Sequence, residues 1–248
     1  MRNLEGKFCI VTGAGKGIGK AIVKRFLAEE AAGVAILEWD LELAKATAKE
    51  LDPSGEKVLA VKCNVADSDM VKEAVDQVMA KWGRVDVLIN NAGITRDRIF
   101  HKMSDDDWYS VININLNGLY NLCKFVVPIM REQESGAIVN MSSTSLLGNP
   151  GQANYSATKA AIQGFTRTMA KELGRKNIRM NCIAPAYIDT EMMRAVGEEK
   201  IAGIIRSVPL QRLGDPDEIA TLTAFLCTDD ASWVSGQTIF ASGGAICM

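Results

Sequence analysis

Short apolar runs alternate along this chain with longer segments whose apolar positions repeat every third or fourth residue, the two periodicities of strands and amphipathic helices. Residues 8–11, 34–37, 58–61, 85–89, 137–139, 178–183 and 237–240 are strand candidates, and helix-length sequence separates them. Their near-continuous apolar character predicts strands buried on both faces, hence an α/β fold with one parallel sheet of about seven strands and helices on either side. Asp215-Pro216 marks the start of a late helix, because proline suits the first helical turn. Residues 189–209 break the rhythm between the sixth and seventh strands and predict a mobile helical flap.

The turn after the first strand reads Thr12-Gly13-Ala14-Gly15-Lys16-Gly17-Ile18-Gly19 and opens an amphipathic helix over residues 20–30. Glycines there let an anion approach backbone N–H groups at the positive end of a helix, which suits a pyrophosphate. The second strand ends at Leu37-Glu38. A carboxylate there accepts hydrogen bonds from ribose hydroxyls and repels a 2′-phosphate, so Glu38 favours NAD(H). Lys16, a cation inside the glycine turn, leaves NADP(H) open. Asp40 is the alternative ribose acid, or else the cap of the next helix.

Further along, Tyr155 and Lys159 stand four residues apart in Asn154-Tyr155-Ser156-Ala157-Thr158-Lys159, a spacing that stacks phenol and ammonium on one helix face. A cation beside a phenol favours the phenolate and lowers its pKa, making Tyr155 a proton donor for a developing alkoxide. Residues 138–143 form a buried strand ending in hydroxyls, and Ser142, thirteen residues before Tyr155, is the expected partner for a substrate carbonyl oxygen.

With 248 residues and 48% hydrophobic content, the chain is large enough for one full α/β domain spanning residues 1–248. A net charge of −2 argues against nucleic acid or an anionic membrane as the main partner. The start, Met1-Arg2-Asn3-Leu4, lacks an apolar stretch of signal-peptide length, and no run is long enough to span a bilayer, which predicts a soluble cytoplasmic protein. Six scattered cysteines without a CxxC pair predict buried free thiols, and the single histidine, His101, makes a metal site unexpected. His101 reads as a surface or substrate-loop residue. Met103, and Met192 and Met193 at the start of the flap, are candidates for an apolar substrate wall, or else core filler.

Taken together, Thr12 to Gly19, Asn64-Val65, Asn90-Asn91-Ala92-Gly93, Asn115, Ser142, Tyr155, Lys159 and Pro185-Ala186-Tyr187-Ile188-Asp189-Thr190 resemble the short-chain dehydrogenase/reductase family over essentially the whole length. The resemblance implies a doubly wound Rossmann-type sheet and hydride transfer between a nicotinamide cofactor and a carbonyl or secondary alcohol. It further implies that Gly13, Gly15, Lys16, Gly17, Ile18 and Gly19 cradle the dinucleotide, that Asn64 and Val65 hold its adenine, and that Asn91, Ala92 and Gly93 shape the ribose pocket. Pro185, the Ile188 backbone and Thr190 would face the nicotinamide, Lys159 would also bind its ribose, and Asn115 would place a water leading from Lys159 to solvent. Ala186 departs from the glycine usual in the family, which matters if φ there is positive.

Within the family, Asn91 to Asp97, Phe100-His101-Lys102-Met103 and Gly151 to Tyr155 are similar to the β-ketoacyl-acyl-carrier-protein and acetoacetyl-CoA reductases. That similarity implies an acyl thioester substrate, a role in fatty acid metabolism and a homotetramer paired through residues 104–131 and 152–175, with the apolar tail from Gly243 to Met248 at another contact. An NAD-linked dehydrogenase of a steroid, bile acid, cyclic alcohol or sugar is the alternative. A dinucleotide-binding sensor without catalysis would tolerate loss of Ser142, Tyr155 or Lys159, and all three are present.

Overall fold

The computed structural model describes residues 4–247; Met1, Arg2 and Asn3 of the N-terminal stretch and Met248 of the tail lie outside the described residues. Seven strands, β1 (Phe8–Thr12), β2 (Gly33–Glu38), β3 (Val58–Lys62), β4 (Val87–Asn90), β5 (Gly136–Met141), β6 (Ile178–Pro185) and β7 (Thr238–Ala241), form one sheet in the order β3-β2-β1-β4-β5-β6-β7. Every pairing is parallel. The fourth strand begins two residues later than its apolar run suggests. Val85 and Asp86 instead form the approach to it, where the Asp86 carboxylate accepts the Phe8 N–H at 2.9 Å and ties the two neighbouring strands together.

Each strand presents alternate residues to two separate cores, as its pleat dictates. From β1, Cys9 and Val11 face the layer containing Ile22, Phe26 and Ala220. Ile10 faces the layer containing Val71, Leu122 and Ile162. The helices behind these layers are α1 (Gly17–Ala28), α2 (Leu41–Leu51), α3 (Ser68–Trp82), α4 (Asp105–Ile112), α5 (Gly118–Gln133), α6 (Ala153–Leu173), α7 (Glu191–Arg194), α8 (Glu198–Ser207) and α9 (Pro216–Cys227). Asp215 caps α9 in a reciprocal pair with Glu218, the stop-start signal that Asp-Pro announced.

Residues 104–131 are not one uninterrupted α-helix. A π-helical turn, Asn113–Asn117, joins α4 to α5, a kind of bulge that often accompanies a functional side chain. The flap region holds two short helices, α7 and α8, pinned at their base by a bridge between Ile188 and Gly214. Five of the six cysteines are buried and Cys247 is exposed. Among the described residues no helix is long and apolar enough to cross a membrane.

The strand order reverses direction between β1 and β4, so the loops leaving their carboxyl ends diverge and open a crevice. A cleft of about 1020 Å³ lies there, running from Glu38 and Trp39 past the glycine turn to Tyr155 and the flap.

Candidate active site

The glycine turn is shaped by close approach. Gly13 has φ of 61°, and a Cβ on it would come within 2.8 Å of the Ala92 Cα. At Gly19 a Cβ would stand 2.4 Å from the Gly13 carbonyl oxygen, so only glycine lets α1 start this close to β1. The α1 N-terminus meets the cleft with no acidic residue in its first turn. Its unsatisfied N–H groups and dipole are therefore available to an anion.

Thr12 and Asn91 lock the turn against β4. The Thr12 hydroxyl accepts the backbone N–H of Asn91 and of Ala92, each at 3.0 Å. The Asn91 amide donates to the carbonyls of Thr12 and Gly13 at 2.9 and 3.0 Å. At the far end, Glu38 accepts the Gly15 N–H at 3.1 Å and the Trp39 N–H at 2.9 Å, which aims its carboxylate along the cleft wall. Asp40 caps α2 through the N–H groups of Glu42 and Leu43, so it is a helix cap and Glu38 is the acid at the cleft. Asn64 turns its side chain back to the Ala66 N–H at 3.1 Å, and with Val65 it lines the cleft beyond β3.

Lys16 lines the cleft too, but its ammonium pairs with Glu191 of α7 at 2.7 Å. Both side chains are largely exposed, so solvent screens the pair and it adds little to stability. It joins the glycine turn to the base of the flap beside Gly17, whose Cβ would project into the cleft with only the Thr190 methyl within 4 Å. Pro185 ends β6, Ile188 is buried, and the Thr190 hydroxyl caps α7 by accepting the Met193 N–H at 3.3 Å. Ala186 does not have positive φ, and its N–H donates to the Ala241 carbonyl at 3.0 Å, so the alanine sits there without strain.

At the centre, Lys159 is only 4% exposed. Its ammonium donates to the Met141 carbonyl at 2.7 Å and sits 5.3 Å from the centroid of the Tyr155 ring. Burial lowers the Lys159 pKa to about 8. The Tyr155 pKa moves opposite to the sequence expectation. Burial pushes the phenol up to about 12; a hydrogen bond with the Ser143 side chain lowers it, and the charge of Asp97 raises it. The physical reason is that desolvation of the phenolate dominates, and only the Ser143 hydrogen bond opposes it.

The expected serine, Ser142, and its neighbour Ser143 both line the cleft. Ser142 is 4% exposed, and its hydroxyl donates to the Lys159 backbone carbonyl at 2.8 Å. A hydroxyl has one proton to give, and that one is already committed to α6. Ser143 is the residue that meets the Tyr155 phenol. Asn140, near the end of β5, donates to Thr166 at 2.9 Å, and Ser142, just past the strand, likewise turns to α6. Ser143 caps the following turn by accepting the Ser145 N–H at 3.2 Å.

Asn115, in the π-turn and 2% exposed, closes a reciprocal pair with Ile94, accepting its N–H at 2.9 Å and donating to its carbonyl at 3.0 Å. Its amide thereby fixes the chain leaving β4. Met192 and Met193 line the cleft, as does Ile246 near the C-terminus, whereas Met103 does not. His101 is exposed in the turn Phe100–Lys102. Sequence reasoning named Ser142 and not Ser143, whose side chain hydrogen-bonds the Tyr155 phenol from just beyond β5. It also missed the Asp97–Gln152 contact, 2.9 Å across the substrate end, for which no spacing rule exists.

A helix N-terminus open to anions, an acid at the end of β2 and a phenol beside a buried amine at the switch point are the makings of a dinucleotide-dependent oxidoreductase. The residues present fit a nicotinamide dinucleotide: Gly17 leaves the cradle open, and Glu38 places a carboxylate on the cleft wall at the end of β2, where it could accept from ribose hydroxyls. Comparison with known proteins agrees. A family model described as enoyl-(acyl-carrier-protein) reductase matches residues 13–245.

The chain is 45% identical to the 3-oxoacyl-[acyl-carrier-protein] reductase FabG of Thermotoga maritima, covering 98% of this chain and 99% of the relative. It is 44% identical to FabG of Chlamydia muridarum over 97% and 98% of the two chains. A crystal structure of a short-chain dehydrogenase/reductase from Brucella melitensis, named as a glucose/ribitol dehydrogenase, superposes with a TM-score of 0.94 at 35% identity over 100% of both chains. The chain belongs to the short-chain dehydrogenase/reductase family and is a nicotinamide-dependent oxidoreductase acting on C=O and CH–OH groups.

Proposed function

We propose that this enzyme reduces the 3-oxo group of an acyl thioester, carried on acyl carrier protein or coenzyme A, with NADH as the preferred reductant. The observation that carries the reading is the Tyr155–Ser143 hydroxyl pair over buried Lys159, at the end of an apolar cleft in a chain 42–45% identical to named 3-oxoacyl reductases. The bound nicotinamide supplies the hydride. Ser143 and Tyr155 both hydrogen-bond the carbonyl oxygen, and Tyr155 transfers its phenolic proton as negative charge appears there. A phenol held near 12 stays protonated at neutral pH, yet it is far more acidic than an ordinary alcohol, whose pKa is close to water's value of about 15.7. The direction of the shift thus suits reduction. Lys159 supports the arrangement from behind, and Asn115 holds the Ile94 backbone that borders it.

Glu38 supports NAD(H) because its carboxylate faces the ribose end of the cleft. The cation that argued for NADP(H), Lys16, is occupied by Glu191. Exposed Tyr109 and Tyr120, on α4 and α5, support self-association to a homotetramer through that face, which light scattering of a stable monomer would contradict. The decisive assay compares NADH and NADPH across acetoacetyl-CoA, longer 3-oxoacyl thioesters, steroid ketones and cyclic ketones. The highest kcat/KM is expected for a 3-oxoacyl thioester with NADH. A preference for a steroid or cyclic ketone would replace this reading with that of another secondary-alcohol dehydrogenase.

A further inference from the structure

Five charged side chains line the cleft among the described residues: Lys16, Glu38, Asp97, Lys159 and Glu191. Four have settled partners or lie away from the substrate end. Lys16 and Glu191 pair with one another, Glu38 holds the Gly15 N–H, and Lys159 lies behind Tyr155 with its ammonium on the Met141 carbonyl. Asp97 is the charged group of the substrate end.

Its carboxylate accepts the Gln152 amide at 2.9 Å, and the Gln152 carbonyl oxygen accepts the Asn149 amide at 2.8 Å. These three polar side chains form a continuous wall. The loop that carries Asp97 is stitched to the start of α6, since the Arg98 N–H donates to the Gly151 carbonyl at 2.7 Å and buried Asn154 donates to the Arg96 carbonyl at 3.1 Å.

The flanking arginines are turned elsewhere. Arg98 pairs with Asp107 at 3.1 Å, Arg96 donates to the Thr95 carbonyl at 3.0 Å, and neither lines the cleft. The negative charge of Asp97 is therefore presented to the substrate end without a cation in the cleft wall beside it, and its field already reaches the Tyr155 phenol.

We propose that Asp97 determines specificity by excluding substrates with an anionic group beside the reacting carbonyl, so that the cleft admits neutral 3-oxoacyl thioesters, esters and amides but not free 3-oxo acids. This rests on the carbonyl-reduction reading above and narrows its substrate class. In a 3-oxo acid the carboxylate is two bonds from the reacting carbon. With the carbonyl oxygen on Tyr155, that carboxylate falls within reach of the same field; Asp97 is exposed, so water and salt screen the repulsion, but two like charges this close still disfavour binding. Selection by repulsion is a common route to discrimination.

Acetoacetamide and acetoacetate are close in shape and differ in charge at pH 7, which makes them the probes. With NADH, the wild-type enzyme should favour the amide in kcat/KM. Asp97→Asn, which keeps a polar partner for Gln152, should collapse that preference by about fivefold or more, chiefly through a gain on acetoacetate. The Ki of acetoacetate against acetoacetyl-CoA should fall by a similar factor. Asp97→Ser, which also removes the charge, should behave alike, and Asp97→Glu should retain the wild-type ratio. An amide-to-acid ratio unchanged in both neutral variants, with acetoacetyl-CoA still reduced, overturns the role of Asp97 alone. Failure of the wild-type enzyme to reduce acetoacetyl-CoA or acetoacetamide with either cofactor overturns the reduction reading and this inference with it.

Discussion

Around the glycine turn the cleft wall is packed so tightly that a Cβ at Gly13, Gly15 or Gly19 would collide with Ala92, Leu43 or the Gly13 carbonyl, whereas around the 94–98 loop and the flap it is side chains, many exposed. Gly13, Gly15 and Gly19 each leave less than 3 Å for a Cβ. At the other end Leu147, Met192 and Val196 stand 40–56% exposed, and exposed ion pairs such as Lys16–Glu191 and Asp189–Arg194 tether the flap. Backbone geometry accepts little variation, so we assign cofactor binding to the first end. Side chains on loops vary cheaply, so we assign the choice of carbonyl to the second.

That contrast can be pressed hardest at Tyr155. Tyr155→Phe should cut kcat for acetoacetyl-CoA by about 10³-fold, the scale of a lost general acid, while NADH titration by fluorescence shows Kd within about threefold of wild type. A near wild-type rate would remove Tyr155 from the chemistry, and lost binding would mean that the two ends are not separable.

Glu38→Ala should act at the opposite end with a smaller effect. The NADH-to-NADPH ratio of kcat/KM should fall by about tenfold, as expected for loss of a charged acceptor to ribose hydroxyls. The response to acyl chain length should stay the same, and a change in it would blur the division.

Lys159 offers a stability test at the boundary between the two ends. Its folded pKa, about 8, lies below the ordinary lysine value of 10.5. From pH 8 to 10.5 the unfolded chain therefore binds more protons at this residue, and the stability contribution rises with pH. Below 8 the buried ammonium is a cost. Lys159→Met should consequently be more stable than wild type in urea at pH 7, and that advantage should shrink by pH 9.5, before the phenol begins to titrate. An advantage independent of pH would show that packing rather than charge governs the site.

The sequence made most of the cofactor end legible because its signals are local. Glycines between a strand and a helix, and an acid at the end of the next strand, need no tertiary information to interpret. The same holds for the alternation of elements that led to a parallel sheet. What lay outside its reach involved competition between distant groups. Tyr155 and Lys159 do share a helix face, but whether the amine or burial governs the phenol depends on how deeply β5 and α6 enclose the pair. The hydroxyls that end a buried strand point to Ser142, while its commitment to the Lys159 carbonyl of α6 is a tertiary contact invisible to local sequence. The Lys16–Glu191 pair joins residues 175 positions apart, which no pattern along the chain announces.

The central proposal is that the carbonyl is held by Ser143, just beyond β5, together with Tyr155. Single-turnover reduction of acetoacetyl-CoA by NADH-loaded Ser143→Ala and Ser142→Ala tests it side by side. Ser143→Ala should slow the chemical step by about 10²-fold with stability unchanged. Ser142→Ala should stay within about fivefold of wild type and lose about 1 kcal/mol of stability from its buried hydrogen bond. The reverse ranking, with Ser142→Ala the slower enzyme, would contradict the account.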